Sequence, residues 1–256
     1  MAYQRSAPYR PGQTEPYKIS RSKIDLFMQC PRCFWLDARL KIKRPSSPPF
    51  RINSAIDELF KKEFDVHRAA QTTHPLCETY GLKLVPFKHE KMDEWRDALR
   101  RGVQSLHEPS NLLITGGVDD IWVNLEKNEL VVVDYKATAK NGEVSLDADW
   151  QISYKRQLEV YQWLLRQNGF KVSDTGYFVY TNGKLDAAGF KDVLEFRTKI
   201  IDYKGSDNWI EPAIMRLKEC LDGDMPAVGT AAMGGECEHC AYARARTQLT
   251  LEALRK

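Results

Sequence analysis

Two runs decide how this chain folds: Gly116-Gly117-Val118-Asp119-Asp120-Ile121-Trp122-Val123 and, across Glu126-Lys127-Asn128-Glu129, Leu130-Val131-Val132-Val133-Asp134-Tyr135-Lys136. β-Branched residues dominate both, and the connection is short and polar, which predicts two strands joined by a hairpin turn. Side chains alternate along a strand, so Asp134 and Lys136 share one face and Tyr135 takes the other. Two carboxylates, Asp119 and Asp134, and one ammonium at strand ends make a seat for a divalent metal and an activated water. A structural reading competes. Asp119-Asp120 beside two glycines suits a turn, and Lys136 would neutralise a near-buried Asp134 as an ion pair. The residues of the hairpin leave both readings open.

Downstream, Trp150 to Asn168 reads as the strongest helix, with Ile152, Leu158, Val160, Tyr161, Leu164 and Leu165 apolar and Gly169 closing it. Gln157 and Tyr161 lie four apart and stack on one face of that helix. Core packing with one satisfied amide explains such a pair as readily as service to a site. Thr175 to Thr181 predicts a strand with a turn at Asn182-Gly183. Val193 to Ile200 continues the sheet, Ile210 to Leu221 is a late helix, and a glycine-rich segment ends in Cys237-Glu238-His239-Cys240.

Upstream, residues 1–18 carry Pro8, Pro11 and Pro16 without apolar periodicity, which predicts a disordered arm. A helix begins at Ser20 or Ser22 as N-cap and breaks at Pro31 inside Cys30-Pro31-Arg32-Cys33. Pro45 to Pro49 is a rigid turn. Asn53 to Ala70 is a helix with Ile56, Leu59, Phe60 and Phe64 as its stripe, and Met92 to Leu106 another with Trp95 and Leu99 inward. The order of elements predicts a mixed α/β sheet flanked by helices, without internal repeats.

The 256 residues suffice for one large domain, or a core with a smaller lobe. Lys and Arg number 38 against 35 Asp and Glu, a net charge of +3 that does not by itself argue for nucleic acid. No apolar run approaches a membrane span and no signal-peptide core is visible, so a soluble, cytoplasmic protein without membrane partners is expected. Nothing resembles the phosphate-binding loop of a helicase motor. The basic clusters at Lys41 to Arg44, Arg96 to Arg101 and Lys155-Arg156 read first as solvated faces.

In combination these stretches are recognisable. Gly-x-Val-Asp119, Val-Val-Asp134-x-Lys136 and Gln157-x-x-x-Tyr161 resemble the PD-(D/E)XK nuclease superfamily in its RecB-like branch, which includes CRISPR-associated exonucleases and helicase-linked nucleases of recombination. Ser20-x-Ser22 through Phe27, Cys30-Pro31-Arg32 and Phe34-Trp35-Leu36 is similar to that branch's opening helix, and Cys237-x-x-Cys240-x-Tyr242 to its end. Five motifs stand in the expected order from about residue 20 to 245. The resemblance implies a restriction-endonuclease-like fold: a single nuclease domain over 19–245, with N-terminal helices over 19–110, a catalytic core over 111–205 and a C-terminal segment over 206–245, then a tail over 246–256. It implies that Asp119 and Asp134 bind Mg²⁺ or Mn²⁺, helped by the backbone carbonyl of Tyr135. Lys136 would orient or activate the attacking water and stabilise phosphate charge, Gln157 would hold Lys136 in place, and Tyr161 would position the strand being cut. Where that branch often offers a histidine in a Gly-x-x-x-His pattern, this chain has Asn53-Ser-Ala-Ile-Asp57; Asp57 is an oxygen donor that suits Mg²⁺, with Glu58 and Asp65 as rivals.

Cys30-x-x-Cys33 and Cys237-x-x-Cys240 are two thiolate pairs at opposite ends of the chain, and in a cytosolic protein such pairs more often bind metal than form disulfides. Spacing alone does not separate zinc from an iron–sulfur cluster. Iron–sulfur nucleases of the RecB-like branch place one cysteine early and three late. The third late one would fall at Arg246, while Cys33 is extra, so the count of four is kept and a 4Fe–4S cluster is expected, with Zn²⁺ the alternative and His239 a reserve ligand. Cys77 and Cys220 read as inert core residues. The implied activity is phosphodiester hydrolysis on single-stranded DNA or DNA ends, with Lys155, Arg156 and Lys41 to Arg44 touching the backbone. Helicase, CRISPR or repair partners are implied as well, in an accessory trimming role. A DNA-binding scaffold that kept the fold without the chemistry is the rival class.

Overall fold

The computed structural model describes residues 7–46, 50–229 and 235–255. Its first elements are strand β1 (Tyr17–Ser20) and helices α1 (Arg21–Gln29), α2 (Pro31–Leu40), α3 (Arg51–Ala70) and α4 (Pro75–Thr79). Then come β2 (Leu84–Pro86), α5 (Met92–Arg96), β3 (Val103–His107), β4 (Leu112–Gly116), β5 (Asp120–Asn124) and β6 (Glu129–Thr138). The last are α6 (Ile152–Gln167), β7 (Thr175–Gly183), β8 (Phe196–Lys204), α7 (Ile210–Asp222) and α8 (Glu238–Leu254). The expected mixed α/β class is what the chain adopts, with one sheet of order β1-β4-β3 and one of order β2-β5-β6-β7-β8. No helix among the described residues is long and apolar enough to cross a membrane.

The chain divides into two units, one of Met1–Ser47, Leu106–Ile114 and Asn208–Lys256, the other of Pro48–Ser105 and Thr115–Asp207.

In the second unit the hairpin forms as read, with Asp120 opposite Val133 and Asn124 opposite Glu129 in antiparallel register. β6 and β7 run parallel, and a parallel pair needs a long crossover, here supplied by α6. The remaining neighbours, β2 with β5 and β7 with β8, are antiparallel. β6 is buried on both faces, so its apolar run is continuous rather than alternating. One face carries Val131, Val133 and Tyr135 against Phe64 of α3 and Trp122 of β5, the rings of Phe64 and Trp122 stacked at 5.2 Å. The other face receives α6, where Leu158 packs so closely on Gly176 that a Cβ there would lie 2.7 Å from it. Gly169, with φ +84°, closes α6 as expected.

In the first unit, Cys30 is at once the C-cap of α1 and the N-cap of α2. Pro31 cannot continue a helix but suits the first position of a new one, so the chain breaks and restarts there. α7 buries Ile210, Ala213, Ile214, Leu217 and Leu221 completely. Trp35 Nε1 donates to the Gly223 carbonyl at 3.1 Å and Tyr9 Oη to Asp222 Oδ1 at 2.6 Å.

Several expectations are corrected. Within the expected arm, residues 1–6 lie outside the described residues, but Tyr9 is buried and Tyr17–Ser20 form a strand. Ser20 stands at the N-cap of α1, yet its hydroxyl bonds Ser22 Oγ at 2.9 Å and caps nothing. The helix from Met92 stops at Arg96, because Gly102, at φ +74°, turns the chain back and donates to the Glu94 carbonyl at 3.0 Å. Trp95 is buried as expected, whereas Leu99, Leu59 and Ile152 are exposed. Asn182 and Gly183 continue β7 opposite Arg197 and Phe196 instead of turning; the Asn182 side chain is engaged by Lys140 and Gly142. β8 accordingly starts at Phe196 rather than Val193. The expected C-terminal tail is helical to Leu254. Residues 47–49 of the proline turn and 230–234 of the glycine-rich segment lie outside the described residues.

Candidate active site and cysteine centre

Asp134 is fully buried on the α6 face of β6, the costliest place for a charge unless neighbours answer it. Gln157 Nε2, from α6, donates to Asp134 Oδ1 at 2.7 Å and also approaches Tyr161 Oη at 3.2 Å. The second Asp134 oxygen is ion-paired with the Lys136 ammonium, two residues along the same face. That ammonium lies 4.5 Å from the centre of the Tyr154 ring, a cation–π contact. Burial, reinforced by the negative charge of Asp119, pushes the Asp134 carboxyl up to about 7 in spite of Lys136. Burial disfavours the Lys136 ammonium, but Asp134 and Asp119 outweigh it and hold it above its ordinary value.

Asp119 sits just before β5 and accepts the backbone N–H of Tyr135 on Oδ2 at 3.0 Å, which fastens the loop to β6. Its other oxygen is 3.9 Å from Lys61 Nζ, which donates to Asp57 Oδ2 at 2.6 Å. Lys61, one turn beyond Asp57 on α3, thus stands as a cation between two carboxylates. Asp57 Oδ1 is buried with no hydrogen-bond partner, and burial followed by the Asp119 charge raises its carboxyl. The orphaned Asp57 oxygen and the carboxylates of Asp119 and Asp134 are donors of the type that suits a hard divalent cation. Among the described residues only the four cysteines already stand close enough to share one ion. Of the rivals, Glu58 is exposed, and Asp65 is taken up by Arg96 Nη1 at 2.9 Å and Arg68 Nε at 2.9 Å.

Tyr161, expected to position the strand being cut, is only 3% exposed. Its ring fills the space where a Gly116 side chain would go, 2.6 Å from a notional Cβ, and Gly117 is equally tight against Ala98 at 2.3 Å. The two glycines are a packing requirement, and the Tyr161 hydroxyl meets Gln157 Nε2. Lys155 and Arg156 lie half-buried on α6, Lys155 Nζ 5.7 Å from the Tyr203 ring centre.

The residues missed from the sequence surround Asp120, for which a turn is the structural reading that the sequence offers. It is fully buried and accepts from Tyr135 Oη at 2.7 Å, Arg96 Nη2 at 3.2 Å and Arg68, while Arg96 Nε donates to the Asp119 carbonyl at 3.1 Å. Arg96 belongs to this buried network and not to a solvated face. The one sequence signal was the Asp65-x-x-Arg68 spacing, which places both on one helical face.

In the first unit the thiols of Cys30, Cys33, Cys237 and Cys240 are free and converge, with all four sulfurs within 4.8 Å of one another. Burial would raise the Cys30 thiol, but the amides of Cys33 at 3.4 Å and Gly229 at 3.3 Å donate to its sulfur and bring it down to about 7. Arg44 Nη2 reaches Cys237 Sγ at 3.4 Å and Nη1 reaches Gln29 Oε1 at 2.9 Å, so Arg44 lies against this centre. His239 is exposed. The donors suit a thiophilic ion or an iron–sulfur cluster.

A search of curated proteins finds no match. The sequence matches the PD-(D/E)XK nuclease superfamily over residues 18–245, a stretch that holds every residue placed above in either centre. This chain belongs to the PD-(D/E)XK nuclease superfamily.

Proposed function

We propose that the protein is a deoxyribonuclease of the RecB-like branch, dependent on Mg²⁺ or Mn²⁺, that hydrolyses phosphodiesters in single-stranded DNA or at DNA ends in the cytoplasm. The observation that carries this reading is a buried carboxylate, Asp134, raised toward neutrality and held between Gln157 and Lys136, with Asp119 fastened to the same strand and an unpartnered oxygen on Asp57. A strongly perturbed buried acid gathered with a lysine and further carboxylates marks a candidate catalytic site.

Asp57, Asp119, Asp134 and the Tyr135 carbonyl would hold the cation, whose charge supplies Lewis acidity toward a phosphate oxygen and an incoming water. Lys136, kept cationic by Asp134 and Asp119, stabilises the charge that develops on the phosphate and orients the water. Gln157 fixes Asp134 so that its second oxygen stays beside Lys136, and Tyr161 fixes Gln157. Lys155 and Arg156, on the first turns of α6, are assigned to the DNA backbone. The same chemistry serves end-trimming beside a helicase or within a CRISPR or repair assembly.

The test is cleavage of labelled circular and end-labelled linear DNA with each metal. Wild type should cut and Lys136→Ala should lose about 100-fold or more in rate, the scale of one removed electrostatic donor. Equal rates for the two would remove the catalytic assignment. No cleavage with either metal would leave the DNA-binding scaffold.

A further inference from the structure

The four cysteines are spaced for one ion. Cys30 Sγ and Cys240 Sγ are 3.7 Å apart, Cys33 and Cys240 3.7 Å, and Cys33 and Cys237 3.8 Å. A tetrahedron with zinc–sulfur bonds of about 2.3 Å has edges of about 3.8 Å. Its centre has room for one cation. A 4Fe–4S cluster places each cysteine on a different iron, with eight cluster atoms between the four sulfurs, and asks for a wider set than one whose sulfurs all lie within 4.8 Å of one another. The sulfurs are also too far apart to be disulfide-bonded, since a disulfide spans about 2.05 Å.

The surroundings are built to hold thiolates. The Cys33 and Gly229 amides point at Cys30 Sγ, and Arg44 offers a guanidinium to Cys237. Gly229 is wedged so tightly against Cys30 that a Cβ would fall 2.4 Å from its Cα, which fixes the amide on the sulfur. Four thiolates around a divalent ion leave two negative charges, and Arg44 offsets one of them.

We propose that Cys30, Cys33, Cys237 and Cys240 hold a single structural zinc ion, joining the α1–α2 turn to the start of α8, with Arg44 as its charge-balancing outer partner. This stands independently of the nuclease reading, because neither the sulfur spacing nor Arg44 enters that reading. The site is redox-inert and contributes to folding.

The test is metal analysis of the full chain, purified without oxygen from cells supplied with both iron and zinc. One zinc and no iron per chain, in a colourless protein, is the expected result, and Asp134→Asn, which alters the other centre, should keep that zinc. Replacement by Co²⁺ should give thiolate charge-transfer and tetrahedral visible bands, a readout that needs no cysteine variant. A brown protein with about four irons per chain would overturn the proposal, as would a well-folded wild type without metal. Arg44→Gln should keep the zinc but yield it to a chelator about tenfold more readily, with Arg44→Lys recovering part of the loss. Release at the wild-type rate from Arg44→Gln would remove Arg44 from the site.

Discussion

Tyr135 holds both neighbouring aspartates: its backbone N–H donates to Asp119 Oδ2 at 3.0 Å, and its hydroxyl to Asp120 Oδ2 at 2.7 Å. One strand residue thus fixes a site carboxylate from its main chain and a structural one from its ring. Tyr135→Phe should keep the first bond and lose the second. Leaving Asp120 short of a donor should cost about 1–3 kcal/mol in urea unfolding while divalent affinity by calorimetry stays near wild type. A large fall in metal affinity without lost stability would mean that the hydroxyl serves the site directly.

Asp120→Ala is expected to be harsher, because it strands Arg68 and Arg96 without their buried partner. A loss of about 3–5 kcal/mol follows from breaking a buried ion pair from one side. A variant as stable as wild type would show that the network is not needed for the fold.

The pH dependence of the metal-free protein should report Asp134. Burial pushes its carboxyl up to about 7 in the folded chain, from an ordinary value of 3.8. A group raised in the folded state contributes stability that is fully present below its unfolded pKa and is lost as pH rises through the folded one. The melting temperature without metal should therefore fall between about pH 4 and pH 7, and Asp134→Asn should flatten that fall. A wild-type melting temperature that climbs over the same range contradicts the assignment.

Lys61 bridges Asp57 and Asp119, so a divalent cation entering there competes with an ammonium. Lys61→Met should bind Mn²⁺ about tenfold more tightly, about 1.4 kcal/mol, and should be less stable without metal because two carboxylates lose their counter-charge. Asp57→Ala should weaken binding more than Glu58→Ala. The reverse order would move the ligand to Glu58.

Gly116→Ala places a methyl 2.6 Å from the Tyr161 ring. Overpacking should cost about 1–3 kcal/mol, and the displaced ring should loosen Gln157, lowering kcat more than it raises KM. Unchanged kcat would show that Tyr161 has slack.

Much of this was legible in the sequence. β-Branched runs around Asp119 and before Asp134 define the hairpin because period and turn are local properties, and the Gln157-x-x-x-Tyr161 spacing defines a helical face for the same reason. Pro31 determined the break between α1 and α2, since a missing N–H acts wherever it sits. The tertiary structure decided what neighbouring positions do. Asp119 and Asp120 are the same residue in adjacent places, yet one ends the loop and accepts the Tyr135 amide while the other enters β5 and turns inward to Arg68 and Arg96. Arg44 and Arg96 sat in basic runs, and only packing drew one to Cys237 and the other to Asp120. The count of four cysteines lay in the sequence, but their 3.7–3.8 Å separation arises only when residues some two hundred positions apart meet, because the space between ligands is a property of the fold.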